Sequence, residues 1–178
     1  MLPASSNNIF LVGPMGAGKT TIGRLLAEQL DRSFYDSDQV IEERAGANVS
    51  WIFDVEGEAG FRARETGVIT DLAGMENIVM ATGGGAILAE PNRRALKEGG
   101  IVVYLMATVA QQLERTKRDQ KRPLLQVPDP RGKLNALMEV REPLYREIAD
   151  VSIMTSRRSP RAVTAEILKA LRAGGARV

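Results

Sequence analysis

Gly13-Pro14-Met15-Gly16-Ala17-Gly18-Lys19-Thr20-Thr21 decides how this chain reads. The apolar run Ile9-Phe10-Leu11-Val12 precedes it, and Ile22, Leu25, Leu26 and Leu30 follow at helical spacing. Strand, glycine loop and helix therefore succeed one another, and the loop fits G-x-x-x-x-G-K-[ST] at Gly13, Gly18, Lys19 and Thr20. Glycines let the backbone curl until successive N–H groups converge on phosphate oxygens, and the helix behind points its positive end at them. Lys19 then reaches the β- and γ-phosphates, and the Thr20 hydroxyl becomes a Mg²⁺ ligand. An ordinary glycine-rich turn explains the same stretch less well, because the full pattern and both flanks are present.

Composition narrows the chemistry. The chain has 178 residues, with 24 basic and 22 acidic side chains, so no bulk charge argues for nucleic acid or a membrane surface. It contains neither cysteine nor histidine. Disulfides, thiolate nucleophiles, histidine bases and histidine or cysteine zinc sites are thereby excluded, and a proton acceptor has to be a carboxylate or another unusual group. The amino end, MLPASSNN, lacks the basic and apolar regions of a signal peptide, and no apolar run approaches a membrane span. A cytoplasmic location is expected.

Working outward, apolar runs alternate with helical patterns. Ser33-Phe34-Tyr35 reads as a short strand ending at Asp36-Ser37-Asp38, with Asp38 placed to cap the next helix. A short helix around 50–57 closes at Gly57, with Trp51 expected in packing, and a longer one covers Glu58 to Leu72. Ile78–Ala81 and Ile101–Leu105 look like buried parallel strands, the first ending in Thr82-Gly83-Gly84-Gly85. Helices are expected near 91–98, 108–118, 133–148 and 160–172, a last strand at 151–153, and a mobile loop over 119–132. Five strands alternating with helices argue for an open parallel sheet covered on both faces. Ligands bind such sheets beyond the carboxyl ends of the strands. Three of those ends are chemically loaded: 13–20, Asp36/Asp38 and 83–85.

Each of these groups has a functional and a plain reading. Of Asp36 and Asp38, one carboxylate can hold Mg²⁺ through water and the other orient or deprotonate a hydroxyl; the plain alternative is helix capping. No apolar strand ends in the aspartate usual for metal organisation in P-loop proteins, which favours Asp36 for that role. Glu65 falls on the apolar stripe of Phe61, Val68, Ile69 and Leu72, where a carboxylate needs a cationic partner such as Arg62. It either holds an arginine that grips a substrate carboxylate or makes a surface ion pair; local pattern alone favours the pair. Gly83–Gly85 is either a close approach to a ligand or a tight turn. Lys117, Arg118, Lys121 and Arg122 border a proline-containing segment that is either a lid over phosphates or a solvated basic loop.

GPMGAGKTTIGRLLA, FYDSD, FRARE, ATGGG, KRPLL and REPLY, in this order, closely resemble the shikimate kinase family from about residue 8 to residue 170. The resemblance implies a three-layer α/β P-loop NTPase fold of the nucleoside-monophosphate-kinase type. Its five-stranded parallel sheet would run in order 2-3-1-4-5, with helices on both faces and a mobile lid. Residues 1–178 would form one kinase domain, with substrate-binding helices over about 38–72 and the lid over about 112–126.

The activity implied is ATP- and Mg²⁺-dependent phosphorylation of the 3-hydroxyl of shikimate, on the route to aromatic amino acids. Asp38 would bind the reacting hydroxyl as candidate base, and Asp36 would organise Mg²⁺ through water beside Thr20. Arg62 and Arg141 would clamp the shikimate carboxylate, with Gly84 and Gly85 closing the pocket and Glu65 in support. Gly16, Ala17, Gly18, Lys19, Thr20 and Thr21 would hold the ATP phosphates, Arg122 would descend with the lid, and Arg158 would flank adenine. The partners implied are ATP and shikimate, taken up by a monomer without nucleic acid or membrane. A kinase for another hydroxy acid such as gluconate, or a nucleotide-binding regulator without transfer, would share the phosphate loop but not the whole motif set.

Overall fold

A computed structural model describes residues 7–117 and 126–174 of the chain. Five parallel strands form one sheet: β1 (Ile9–Val12), β2 (Ser33–Asp36), β3 (Ile78–Ala81), β4 (Ile101–Met106) and β5 (Val151–Met154). Their order is β2-β3-β1-β4-β5, as the family resemblance implies. The register aligns Asp36 with Ala81, Ala81 with Leu11, and Val12 with Tyr104. The carboxyl ends of four strands are therefore level, and the segments that leave them share one edge.

Alternation along β1 shows why both faces are covered. Phe10 and Val12 enter one apolar cluster, with Ile41, Ile69, Met80, Val102 and Tyr104. Ile9 and Leu11 enter the other, with Ile22, Leu26, Val79, Val103 and Ile167. All four β1 side chains are buried, so the strand is a continuous apolar run instead of an amphipathic one. The second cluster is closed by α1 (Lys19–Leu30) and α7 (Pro160–Ala173). The first is closed by α2 (Ser37–Ala45), α3 (Val49–Ala73), α4 (Glu90–Gly99) and α6 (Pro130–Ile148). Between β4 and α6 lies α5 (Val109–Thr116), capped by the Thr108 hydroxyl.

The helical stretch of α3 is broken at Gly57, whose φ of 72° and ψ of 178° no helix contains. The two helices expected on either side of Gly57 are thus present, joined end to end. Phe61, Glu65, Val68, Ile69 and Leu72 form the buried stripe of the second.

Three expectations need correction. The cap of α2 is Asp36, whose Oδ1 accepts from the backbone N–H groups of Asp38 and Gln39; Asp38 sits in the first turn. The helix expected from 133 begins earlier, at Pro130, because Asp129 accepts from the Gly132 N–H and proline suits a first helical turn. Trp51 is half exposed instead of packed. Of the expected lid at 112–126, α5 is described as far as Thr116, whereas residues 118–125, including Arg122, lie outside the described residues.

Candidate active site

The loop after β1 turns through three conformations that only glycine adopts readily, at Gly13 (φ 146°), Gly16 (φ 77°) and Gly18 (φ 89°), before α1 starts at Lys19. Lys19 is nearly buried, and its Nζ donates to the carbonyls of Gly13 (2.6 Å) and Pro14 (2.8 Å), so the ammonium is held inside the curl. The Ala17 N–H donates to Pro14 O at 3.3 Å, and its side chain is buried. A crevice of about 360 Å³ opens over this loop. Gly16, Gly18, Lys19, Thr20 and Thr21 form its phosphate side, and Asp36, Asp38, Gly83 and Gly84 the other.

Thr20 and Asp36 meet in this crevice: the Thr20 hydroxyl donates to Asp36 Oδ2 at 2.8 Å. One Asp36 oxygen thus caps α2 and the other faces the phosphate loop. A hard divalent cation needs oxygen donors and accepts water and phosphate as the rest of its shell, so a hydroxyl beside a carboxylate fits Mg²⁺. Among the described residues no group of three or more acidic side chains gathers into a cage for a metal.

The turn after β3 explains its three glycines. A Cβ on Gly83 would lie 2.8 Å from Asp38 Oδ1, and one on Gly85 2.7 Å from Arg62 Nη1. One on Gly84 would lie 3.5 Å from Arg141 Nη1 and from the Met15 N–H. Each glycine carries one charged side chain against its α-carbon, so the turn is a seat for Asp38, Arg141 and Arg62. Room for these three side chains is thus one demand that the glycines meet.

Glu65 pairs with Arg62. It is 1% exposed, and Arg62 Nη1 donates to its Oε1 at 2.9 Å; Glu58 meets Arg62 Nη2 at 3.4 Å from the outside. The buried-partner reading and the helical ion pair are both realised on one guanidinium. Burial pushes the Glu65 carboxyl up to about 7, against the pull of the Arg62 charge and hydrogen bond; Asp38 pushes the same way as burial and Arg141 opposes it. Arg141 is 5% exposed, and burial shifts it downward, with Tyr145 pulling it up and Arg62 pushing further down. Asp38, Arg62, Glu65 and Arg141 are therefore one electrostatic cluster.

The model for the family described as shikimate kinase matches residues 15–172. A shikimate kinase of Pseudomonas paraeruginosa is 58% identical over 165 residues, which cover 93% of this chain and 96% of the relative. A shikimate kinase of Legionella pneumophila is 58% identical over 164 residues, covering 92% and 94%. The chain belongs to the shikimate kinase family. The structure of the Acinetobacter baumannii shikimate kinase in complex with shikimate superposes with a TM-score of 0.93, at 53% identity, over 96% of this chain and 95% of that one. As in that family, the chain is an ATP-dependent small-molecule kinase of aromatic amino acid biosynthesis.

Several residues of this shikimate kinase site were not anticipated. The Tyr145 hydroxyl, one turn after Arg141 on α6, donates to the Gly84 carbonyl at 2.5 Å, while its ring stacks on Tyr104 at 5.0 Å. Phe61 lies 5.3 Å beneath the Arg62 guanidinium and 4.7 Å from Phe53, giving that side chain an aromatic floor. Arg115 of α5 donates to the Gly16 carbonyl at 2.7 Å. It borders both the phosphate crevice and an adjoining one of about 230 Å³ lined by Thr21, Thr155, Arg158 and Pro160. Arg158 lines that second crevice, held by Glu166 and the Met154 carbonyl. Arg122 is outside the described residues.

Proposed function

We propose that this chain transfers the γ-phosphoryl group of ATP to the 3-hydroxyl of shikimate, giving shikimate 3-phosphate and ADP. The observation that carries the reading is the triple-glycine seat, which gathers a carboxylate and two arginines beside a phosphate-binding loop. A carboxylated polyol is what such a set receives: two guanidinium groups for the carboxylate and one aspartate for a hydroxyl. The similarity to a shikimate kinase solved with shikimate supports the choice of acceptor.

In the proposed reaction Arg62 and Arg141 bind the carboxylate of the acceptor and so fix the direction of its ring. Asp38 then lies at the hydroxyl to be phosphorylated and takes its proton as the new O–P bond forms. The bond from the γ-phosphorus to the β,γ-bridging oxygen breaks, and ADP leaves with the electron pair. Lys19, with Arg122 assigned by its motif, neutralises charge that spreads over the phosphoryl oxygens. Transfer of this kind needs alignment and charge stabilisation more than covalent help. Gly16, Ala17, Gly18, Thr20 and Thr21 hold the nucleotide phosphates, Arg158 borders the base, and Glu65 keeps Arg62 in register. Thr20 and Asp36 would hold Mg²⁺, which when bound neutralises the β- and γ-phosphates.

The same reading takes residues 1–178 as one kinase domain, acting as a cytoplasmic monomer on small molecules alone. No helix among the described residues is long and apolar enough to cross a membrane, which is compatible with it.

ADP release measured with ATP and Mg²⁺, with shikimate, with gluconate or with neither acid, tests the assignment. Release that requires shikimate is expected. Release driven only by gluconate would transfer the site to another hydroxy acid, and nucleotide binding without acceptor-dependent release would leave a regulator.

A further inference from the structure

Outside the acceptor cluster, a polar network joins α5 to the loop after β5. Gln111 and Arg115 stand one turn apart on α5. The Gln111 side-chain oxygen lies 2.9 Å from Arg115 Nη1 and 2.6 Å from Nη2, while its nitrogen lies 2.5 Å from the Ser156 hydroxyl. We assign this amide orientation because its reverse would set an NH₂ group against a guanidinium, donor facing donor. The Thr155 hydroxyl beside it donates to the Met106 carbonyl at 2.8 Å, so Arg115 is the main donor to the Gln111 oxygen.

The other side of the guanidinium reaches the phosphate loop, where Nη1 donates to the Gly16 carbonyl at 2.7 Å. Ser156, Gln111, Arg115 and Gly16 thus form one hydrogen-bonded chain from the sheet's far edge to the loop. Arg115 is solvent-exposed, and an exposed arginine ordinarily samples many rotamers. Here it is fixed at the boundary of two crevices, one over the phosphate loop and one beside Arg158 and Pro160. A nucleotide spanning both would meet an arginine already in place, which spares the ordering cost of binding.

The identity of the anchor matters. A carboxylate at position 111 would hold the guanidinium equally well but would neutralise it. An amide oxygen holds it and leaves its charge for a polyphosphate. We propose that Gln111 is a positioning residue for nucleotide binding, acting through Arg115 and oriented by Ser156. The proposal rests on the nucleotide site and is independent of which acid accepts the phosphoryl group.

The test is a double-mutant cycle on ADP affinity, measured by titration calorimetry with Mg²⁺ present, for wild type, Gln111→Met, Arg115→Met and the double variant. Gln111→Met keeps side-chain length and removes the anchor, so ADP should bind roughly fivefold more weakly, the size of the ordering cost of one long side chain. The double variant should bind no more weakly than Arg115→Met alone, because the anchor then has nothing to hold. Ser156→Ala, which lines neither crevice, should weaken ADP in the same direction. The KM for the acceptor should not move in any variant. Unchanged ADP affinity in Gln111→Met, or losses that multiply in the double variant, would overturn the proposal. If the wild-type protein itself binds no ADP, the nucleotide site beneath it fails; shikimate-independent behaviour with normal ADP binding touches only the acceptor assignment.

Discussion

The Arg62 guanidinium lies against Gly85, so close that a Cβ there would come within 2.8 Å of Cζ. The clamp and the turn that seats it are therefore a single unit. Gly85→Ala should push the guanidinium off its seat while leaving the backbone intact, since Gly85 has an ordinary φ of −92°. The KM for shikimate is expected to rise about tenfold, about 1.4 kcal/mol of binding, with the KM for ATP nearly constant. Equal changes in both constants would mean that the turn serves the whole crevice and not the acceptor.

Asp38→Asn should fold and bind both substrates, because Asp36 and not Asp38 caps α2. Loss of a general base predicts a fall in kcat of roughly 10²- to 10⁴-fold. A near-normal kcat would reduce Asp38 to an orienting group and leave the fold and the phosphate site untouched. Lys19→Ala should also cost kcat severely, because Lys19 is assigned to neutralising charge on the transferring phosphoryl group.

Arg141→Ala removes one of two guanidinium groups proposed for the acceptor carboxylate. A hydrogen bond to a charged group is worth about 1.5–3 kcal/mol, so the KM for shikimate should rise about 10- to 100-fold with a smaller effect on the KM for ATP. An unchanged acceptor KM would contradict the clamp.

Glu65 provides a pH prediction. Its carboxyl is raised from 4.5 to about 7 in the folded chain, mainly by burial. The folded protein then holds a proton that the unfolded chain releases, so the contribution of this group is fully present below about pH 4.5 and is lost as pH rises through about 7. Glu65→Gln lacks that dependence. Urea unfolding at pH 5 and pH 8 should show the variant gaining stability relative to wild type at the higher pH. A constant difference between the two proteins would mean that Arg62 keeps Glu65 ionised throughout.

Much of this architecture was legible because single residue types carry single physical demands. Ile78–Ala81 is apolar on both faces, the look of an interior strand, and Gly57 marked the break in α3. Glu65 on an apolar stripe pointed to a buried partner, although local spacing alone favoured the surface pair. What stayed illegible depends on tertiary approach. The three glycines at 83–85 gave no sign of which side chains they make room for, since those come from α2, α3 and α6. Asp36 and Asp38 are equally good caps by composition, and only the chain path decides between them. Arg115 and Gln111 look like the outer face of a charged helix, and Tyr145 like one more core aromatic. Their roles arise from where α5 and α6 are laid down.

The seat formed by Asp38, Arg62 and Arg141 is proposed to present the 3-hydroxyl of shikimate to the phosphate loop. The most direct measurement is the site of phosphorylation, read from phosphorus–proton correlation in the NMR spectrum of the product made from shikimate and ATP. Coupling of the new phosphorus to the proton on carbon 3 alone is predicted. Coupling to another ring position, or appearance of inorganic phosphate without a phosphorylated acid, would contradict the account.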